Sequence, residues 1–322
     1  MKFTMDSIYL DIAAETERLS TALKDAVAFK LKKRGAVVGV SGGVDLFVVV
    51  GLCLKTFGPE KVFAIMMPER DSSPESKELA AELCEKFKVP YILEDITDAV
   101  NGFGCYRRRD EAVKRVFPEY DPKTYKMKIV LKDDKEAIGK LNLFYLTIIA
   151  PDGTQKSQRL PLSEYLQIVA ASNFKQRSRT NMLYYHAEAK NYAVIGTGNK
   201  NEHEQGFFVK YGDGGADIKP IAHLFKTQVY QLAKHLGVPE DIIKRTPTTD
   251  TYSAEQTQEE FFYKMPFEIM DRIWDGWEKG VSSDEIASVL NLSKTQVDVM
   301  INDLRQKIQT TEYLRQEPLS LG

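Results

Sequence analysis

The sequence is poor in cysteine: its 322 residues hold only Cys53, Cys84 and Cys105. Three thiols so far apart cannot form a disulfide framework, and no two stand in the C-x-x-C spacing of a zinc or redox site. Cys53 and Cys84 fall on apolar faces of predicted helices, where a free thiol serves as a small hydrophobe. Long apolar runs are also missing. Nothing approaches the ~18 residues of a membrane-spanning helix, and the N-terminus lacks a signal peptide's apolar core. Nor is there a surplus of one charge, since 44 Lys and Arg face 46 Asp and Glu, a net −2. A polyanion-binding protein usually carries a basic excess, so nothing global points to nucleic acid. Internal repeats and low-complexity stretches are absent. These absences make a reducing cytoplasm the expected location, with no membrane and no nucleic acid as partner.

What remains is an ordinary soluble globular composition, 43% hydrophobic and 28% charged. The length suits one α/β domain with an appendage. An amphipathic helix runs to about Lys33, its apolar face made by Ile12, Leu19, Leu23, Val27 and Leu31. Short apolar runs at Ala36–Val40, Val62–Met67 and Tyr91–Leu93 then alternate with helical patterns at Asp45–Phe57 and Pro74–Lys88. This β-α-β-α-β order predicts a Rossmann-like parallel sheet with helices on both faces.

Residues 101–160 break the pattern. Arg107, Arg108 and Arg109 open a charged helix whose arginines are expected on a solvated face. Strand-like alternation follows at Tyr125–Leu131 and Leu141–Ile149, with turns at Asp133-Asp134 and Asp152-Gly153, so an inserted β-hairpin or small meander is expected. The α/β pattern resumes with a helix over Ser163–Lys190, a strand at Tyr192–Ile195 and a helix over Lys226–Leu236 that ends at Gly237, a suitable C-terminal cap. The last 60 residues read as helical. The expected organisation is one domain over 1–322, with an insertion at 101–160 and a helical extension at 262–322.

Two segments carry chemistry. AVVGVSGGVD is a strand, a tight loop and a helix start. Gly42 and Gly43 let the backbone turn its N–H groups onto an anion, and the following helix aims its positive end at the same place. Ser41 adds a hydroxyl, and Asp45 is suited to a magnesium ion. The loop is neither a Walker A loop nor a G-x-G-x-x-G fingerprint. The second segment begins at Gly196 and reads GTGNKNEHEQGFFVKYGDGGADIKPIAHLFKTQVYQLAKHLG. Its glycines follow a strand, where open α/β sheets place ligands, and it gathers Lys200, Glu202, Lys210, Asp213, Asp217 and Lys226.

The first segment resembles the SGGxDS loop of the ATP pyrophosphatases, and the second resembles ammonia-dependent NAD synthetase. MMPERDSSPES from Met66, the N-x-x-x-R-x-R pattern from Asn173 to Arg179, and Pro247-Thr248-Thr249-Asp250 extend that resemblance over residues 33–100 and 170–260. The resemblance implies that Gly39, Ser41, Gly42, Gly43, Val44, Asp45, Thr197, Lys226 and Thr248 bind ATP. It implies that Asp45 and Glu202 hold Mg2+, and that Arg177, Lys210, Asp213 and Asp217 face the carboxylate substrate. Asp45, Lys210 and Glu202 would be the catalytic set. The implied reaction converts deamido-NAD, ATP and ammonia to NAD, AMP and pyrophosphate through an acyl-adenylate. A homodimer is implied as well, with ammonia taken free or from a separate glutaminase.

Three positions depart from the pattern. Leu46 replaces the serine after the loop aspartate, Val209 replaces a threonine, and Tyr313-Leu314-Arg315 replaces His-Lys-Arg. Loss of one hydroxyl bond to a charged phosphate, about 1.5–3 kcal/mol, is expected to weaken the ATP chemistry. The alternatives are the same chemistry on another carboxylate, or a nucleotide-binding homologue with reduced or lost activity. The helix-turn-helix look of SSDEIASVLNLSKTQVDVMINDL carries no basic excess, so DNA binding is not expected.

Overall fold

The structure, a computed structural model, describes residues 2–132, 143–246, 251–254, 256–258, 262–263 and 265–321. Its centre is a parallel sheet formed by β1 (Ala36–Val40), β2 (Val62–Met66), β3 (Tyr91–Leu93) and β7 (Ala193–Val194), in the order β3-β2-β1-β7. Strand β1 runs Ala-Val-Val-Gly-Val without polar alternation because both of its faces are covered, and Val37 and Val38 are fully buried. Two helices pack together on one face: α2 (Val44–Phe57) and α8 (Lys226–His235). Helix α2 is apolar nearly all round and buries Leu46, Phe47, Val48, Val49, Leu52 and Cys53 in the main core. Helix α1 (Ile12–Asp25) adds Leu19 and Leu23 to that core. On the other face, α6 (Leu162–Lys190) packs against β1 and β7.

The insertion is larger than a hairpin. It opens with α4 (Thr97–Gly102) and α5 (Cys105–Val116), then forms an antiparallel sheet of β4 (Lys126–Lys132), β5 (Leu143–Ile149) and β6 (Gln155–Arg159). Met127, Ile129, Leu146 and Ile148 point inward in period two and pack on Ala112, Val113 and Ile168. The Asp152-Gly153 turn joins β5 to β6 as expected, with Gly153 at φ +84°. The other expected turn, Asp133-Asp134, lies outside the described residues. The free edge of β4 is covered from far along the chain. Ser253 Oγ accepts from Met127 N at 3.0 Å, Ala254 N donates to Met127 O at 3.1 Å, and Gln256 Nε2 donates to Ile129 O at 3.1 Å.

The arginine run corrects one expectation. Arg107 and Arg108 are solvated, but Arg109 is 2% exposed. The helical period turns it inward, where it pairs with Asp110 at 2.8 Å and with Asp71 of the loop after β2. Lys175 of α6 joins from the other side, 2.7 Å from Asp71 and 3.0 Å from Glu69, and the Tyr106 hydroxyl donates to Glu69 at 2.7 Å. The insertion is thereby bound to a loop of the central sheet through buried charge.

The C-terminal helices α10 (Phe267–Glu278), α11 (Ser283–Leu290) and α12 (Lys294–Thr310) form a separate apolar cluster around Trp274. The helix-turn-helix look is real at α11 and α12, and the apolar face of α12 (Val297, Ile301, Leu304) is spent on packing. The N-terminal segment closes the same cluster. Phe3 and Ile8 are buried in it, Phe3 N donates to Glu285 Oε1 at 3.2 Å, and Arg272 Nε donates to Met5 O at 3.1 Å.

Breaking a buried ion pair strands its partner, so Asp71→Asn is expected to lower unfolding stability by about 3–5 kcal/mol in chemical denaturation at pH 7. Burial alone would raise the Asp71 carboxyl, but Lys175 and Arg109 outweigh it and hold it well below the usual range. The parent should therefore lose this contribution as pH falls below about 4, where the unfolded carboxyl takes up its proton. Equal acid sensitivity in parent and variant would refute the assignment.

Candidate active site

The loop between β1 and α2 lies at the C-terminal edge of the sheet. Gly42 adopts φ +81°, and a Cβ there would lie 3.0 Å from the Ser76 carbonyl oxygen. Its lack of a side chain is therefore required twice, for the turn and for the close approach of α3 (Pro74–Lys86). Gly43 caps α2, so the unpaired N–H groups of that helix face the cleft.

A second loop comes from the other side of β1. There α7 (Lys200–Gln205) starts with a capping box in which Asn199 Oδ1 accepts from Glu202 N and Glu202 Oε2 accepts from Asn199 N, each at 3.1 Å. The same Asn199 donates from Nδ2 to Asp45 Oδ1 at 2.8 Å. Lys226, at the first position of α8 and 1% exposed, pairs with the other oxygen of Asp45. Its backbone is fixed from behind: Asn201 Oδ1 accepts from Lys226 N at 2.9 Å, and Asp271 of α10 accepts from Thr227 N, Thr227 Oγ1 and Asn201 Nδ2.

The electrostatics follow from this crowding. Burial and the neighbouring Asp45 charge push Glu202 up to about 8. Lys226 would be lowered by burial, but Asp45 beside it raises it. Burial lifts Asp271 to about 6. Two carboxylates and one lysine thus share a small volume, a site that takes a further cation readily.

Asp45, Glu202 and Lys226 line one cleft of about 1060 Å³. Gly39, Ser41, Gly42, Gly43, Val44, Asp45, Thr197, Glu202 and Lys226 all stand on its wall, as do Arg177, Lys210 and Asp213. Arg177 Nε donates to the Lys210 carbonyl at 3.2 Å, and Lys210 Nζ donates to the carbonyls of Tyr313 and Gln316, both at 3.0 Å. Asp217 is placed elsewhere. It accepts from Val194 N at 2.8 Å and from the Tyr184 hydroxyl at 3.3 Å, fixing β7, and it is not on the cleft wall. Thr248 lies outside the described residues. Glycine is also required at Gly214, where a Cβ would meet the Phe208 ring at 2.3 Å.

A family model described as NAD synthase matches residues 15–117 and 114–318. The NH(3)-dependent NAD(+) synthetase of Rhizobium meliloti is 46% identical over 316 residues, 98% of this chain and 94% of that protein. The chain belongs to the NAD synthase family. The NH(3)-dependent NAD(+) synthetase of Thermotoga maritima is 36% identical over 270 residues, 84% of this chain and 89% of that one. Among solved structures, the NMN synthetase of Francisella tularensis is similar at TM-score 0.66 and 23% identity, covering 97% of this chain and 98% of that one. The NH3-dependent NAD synthetase of Campylobacter jejuni follows at 0.63 and 22%, covering 97% of this chain and all of that one. These two share the fold.

Sequence reasoning missed the residues that hold the NAD synthase site together. Asn199 was legible, because N-x-x-E over 199–202 is a capping-box pattern. Asn201 and Asp271, 70 positions apart, carry no such local signal.

Glu202→Gln keeps the capping hydrogen bond and removes the charge. Because the folded pKa of Glu202 is raised, ionisation costs the parent stability that grows from about pH 4.5, where the unfolded carboxyl titrates, up to about 8. The variant should therefore gain on the parent in thermal midpoint as pH rises through that window. A constant difference across it would refute the raised pKa of Glu202 that burial and the Asp45 charge produce.

Proposed function

We propose that this NAD synthase family member, a carbon–nitrogen ligase, joins ammonia to the nicotinate carboxylate of deamido-NAD, splitting ATP to AMP and pyrophosphate. The observation that carries this reading is the convergence, in one cleft, of a phosphate loop with Asp45, Glu202 and Lys226, beside Arg177, Lys210 and Asp213.

In the first step a carboxylate oxygen attacks the α-phosphorus in line. The α–β phosphoanhydride bond breaks, and its electron pair leaves on pyrophosphate. The N–H groups of the 41–45 loop, the Ser41 hydroxyl and Lys226 hold phosphate oxygens and stabilise the charge that develops on them. Arg177 and Lys210 bind the substrate's anionic groups, Arg177 as a fork and Lys210 as a point charge. The tail carbonyls that now engage Lys210 must yield when substrate arrives.

In the second step ammonia attacks the acyl carbon and AMP leaves. A cavity of about 80 Å³ opens beside Glu202, lined by Gly198, His203, Asp213 and Lys219 among others, and suits a molecule of this size. Asp213 lines both this cavity and the cleft, where its carboxylate can take a proton from an entering ammonium ion, and burial raises that carboxyl. Burial, helped by Lys219, pushes His203 down to about 4 and keeps it neutral.

Mg2+ fits the donor set. Asp45 and Glu202 offer hard oxygens, and burial together with the Asp45 charge raises Glu202, so added positive charge would favour its ionised form. Among the described residues no group of three or more acidic, histidine or cysteine side chains gathers as a metal site. Phosphate oxygens and water would complete the shell, the usual arrangement for this ion. When bound, the ion neutralises phosphate charge.

A second reading keeps the chemistry and changes the acid. Tyr313 and Leu314 line the cleft where the sequence pattern has His and Lys, so the far end of the substrate meets an aromatic and an apolar side chain. A smaller nicotinate-bearing mononucleotide would need less of that region. We place the protein in the cytoplasm as a homodimer supplied with free ammonia. Among the described residues no helix is long and apolar enough to cross a membrane.

The test is AMP and pyrophosphate release with ATP, Mg2+ and ammonium, using deamido-NAD and nicotinate mononucleotide in parallel. Stoichiometric NAD from deamido-NAD supports the main reading, and preference for the mononucleotide supports the second. Absence of AMP with both sinks the two. Asp45→Asn is expected to lower kcat by at least about a hundredfold, the scale of losing one electrostatic stabiliser.

A further inference from the structure

Helix α9 (Glu240–Lys244) ends beside the phosphate loop, and the residue after it is Arg245. Its Nη1 lies 3.7 Å from the point that a Cβ on Gly42 would occupy, which places the guanidinium over the turn of the loop. Arg245 lines the same cleft as Ser41, Gly42 and Gly43. Its acidic neighbour is Glu75, whose Oε2 is 3.4 Å from Nη2 and whose side chain is 70% exposed. That distance exceeds the ~2.7–2.9 Å of a tight charge-assisted bond, and an exposed partner is held loosely. A phosphate can displace it at little cost.

The rest of the loop explains why a cation is wanted there. Leu46, at the position where the family pattern has a serine, is 3% exposed and packed in the main core, so it offers no hydroxyl. Lys226, the first residue of α8, is already engaged by Asp45. The departing pyrophosphate gains charge as the α–β bond breaks and has several oxygens to satisfy. A planar guanidinium supplies two parallel N–H donors and stays protonated throughout, so it stabilises the leaving group without moving a proton.

We infer that Arg245 is a further catalytic residue, a guanidinium that binds the β- and γ-phosphates of ATP and the departing pyrophosphate in the place of the missing loop hydroxyl. This rests on the ATP-splitting reading above. The role is electrostatic and bidentate, so charge alone should satisfy it only in part.

The experiment is a steady-state comparison of the full chain with Arg245→Ala, Arg245→Lys, Leu46→Ser and the double variant Leu46→Ser/Arg245→Ala, each checked for folding by circular dichroism. Arg245→Ala is expected to lower kcat/KM for ATP and weaken product inhibition by pyrophosphate, each about ten- to a hundredfold, with KM for deamido-NAD unchanged within about twofold. Arg245→Lys should recover part of both and stands in if the alanine variant fails to fold. Leu46 borders the cleft as well as the core, so Leu46→Ser should shrink the Arg245→Ala penalty by presenting a hydroxyl to the phosphates. Unaltered ATP and pyrophosphate parameters in the folded variant, or a rise in KM for deamido-NAD equal to that for ATP, would overturn the inference. Should the parent release no AMP at all, the ATP-splitting reading has failed. Pyrophosphate binding by calorimetry, parent against Arg245→Ala, then decides Arg245 by itself.

Discussion

The pairing of Lys226 with Asp45 is the contact on which the site depends. It joins the first turn of α8 to the first turn of α2, the two helices that share one face of the central sheet. A lysine ammonium that is 1% exposed would be costly without a partner, and Asp45 supplies one. Burial, with the Asp45 charge adding to it, pushes Glu202 up to about 8. One cation is therefore holding two carboxylates in the space where phosphate charge will arrive. The arrangement is set by the fold before any ligand enters, because Asn199, Asn201 and Asp271 fix its members from behind. Asp271 belongs to the C-terminal helices, so the cluster around Trp274 is part of how the site is built.

Much of this was legible in the sequence because it is local. The strand, tight loop and helix over 36–57 are written in consecutive valines and two glycines, and the structure follows them to within one residue, the helix starting at Val44 where Asp45 is expected. The cleft-wall positions of Asp45, Glu202, Lys210 and Lys226 come from loops that follow strands, which open α/β sheets place at one edge. What escaped was non-local. The inward turn of Arg109 depends on Asp71 and Lys175, which no window around the arginines contains. The family resemblance assigns Asp217 to the substrate, and it stands in a charged, glycine-rich stretch. Its carboxylate is consumed by the backbone of β7, a use that composition does not reveal.

The insertion shows how an appendage becomes part of a site. Its helix α5 holds the loop after β2 through Arg109 and Tyr106. Its strand β4 holds Ser253, Ala254 and Gln256 along an open edge. Leu131 and Phe144 stand on the cleft wall, Phe144 stacked on Tyr165 at 4.3 Å between ring centres. Two cleft walls from distant parts of the chain are thereby referred to one small sheet, and its own core of Met127, Ile129, Leu146 and Ile148 keeps that reference stiff.

The N-terminal segment has a different kind of consequence. Phe3 and Ile8 are buried in the cluster around Trp274, and the Ile8 carbonyl also accepts from Gln228 of α8, so their partners lie far along the sequence. A contact between such distant segments closes a very long loop, and the entropy of that closure must be met before the contact rewards it. Apolar contacts of this kind form late in folding, and until they form a phenylalanine and an isoleucine stay in water.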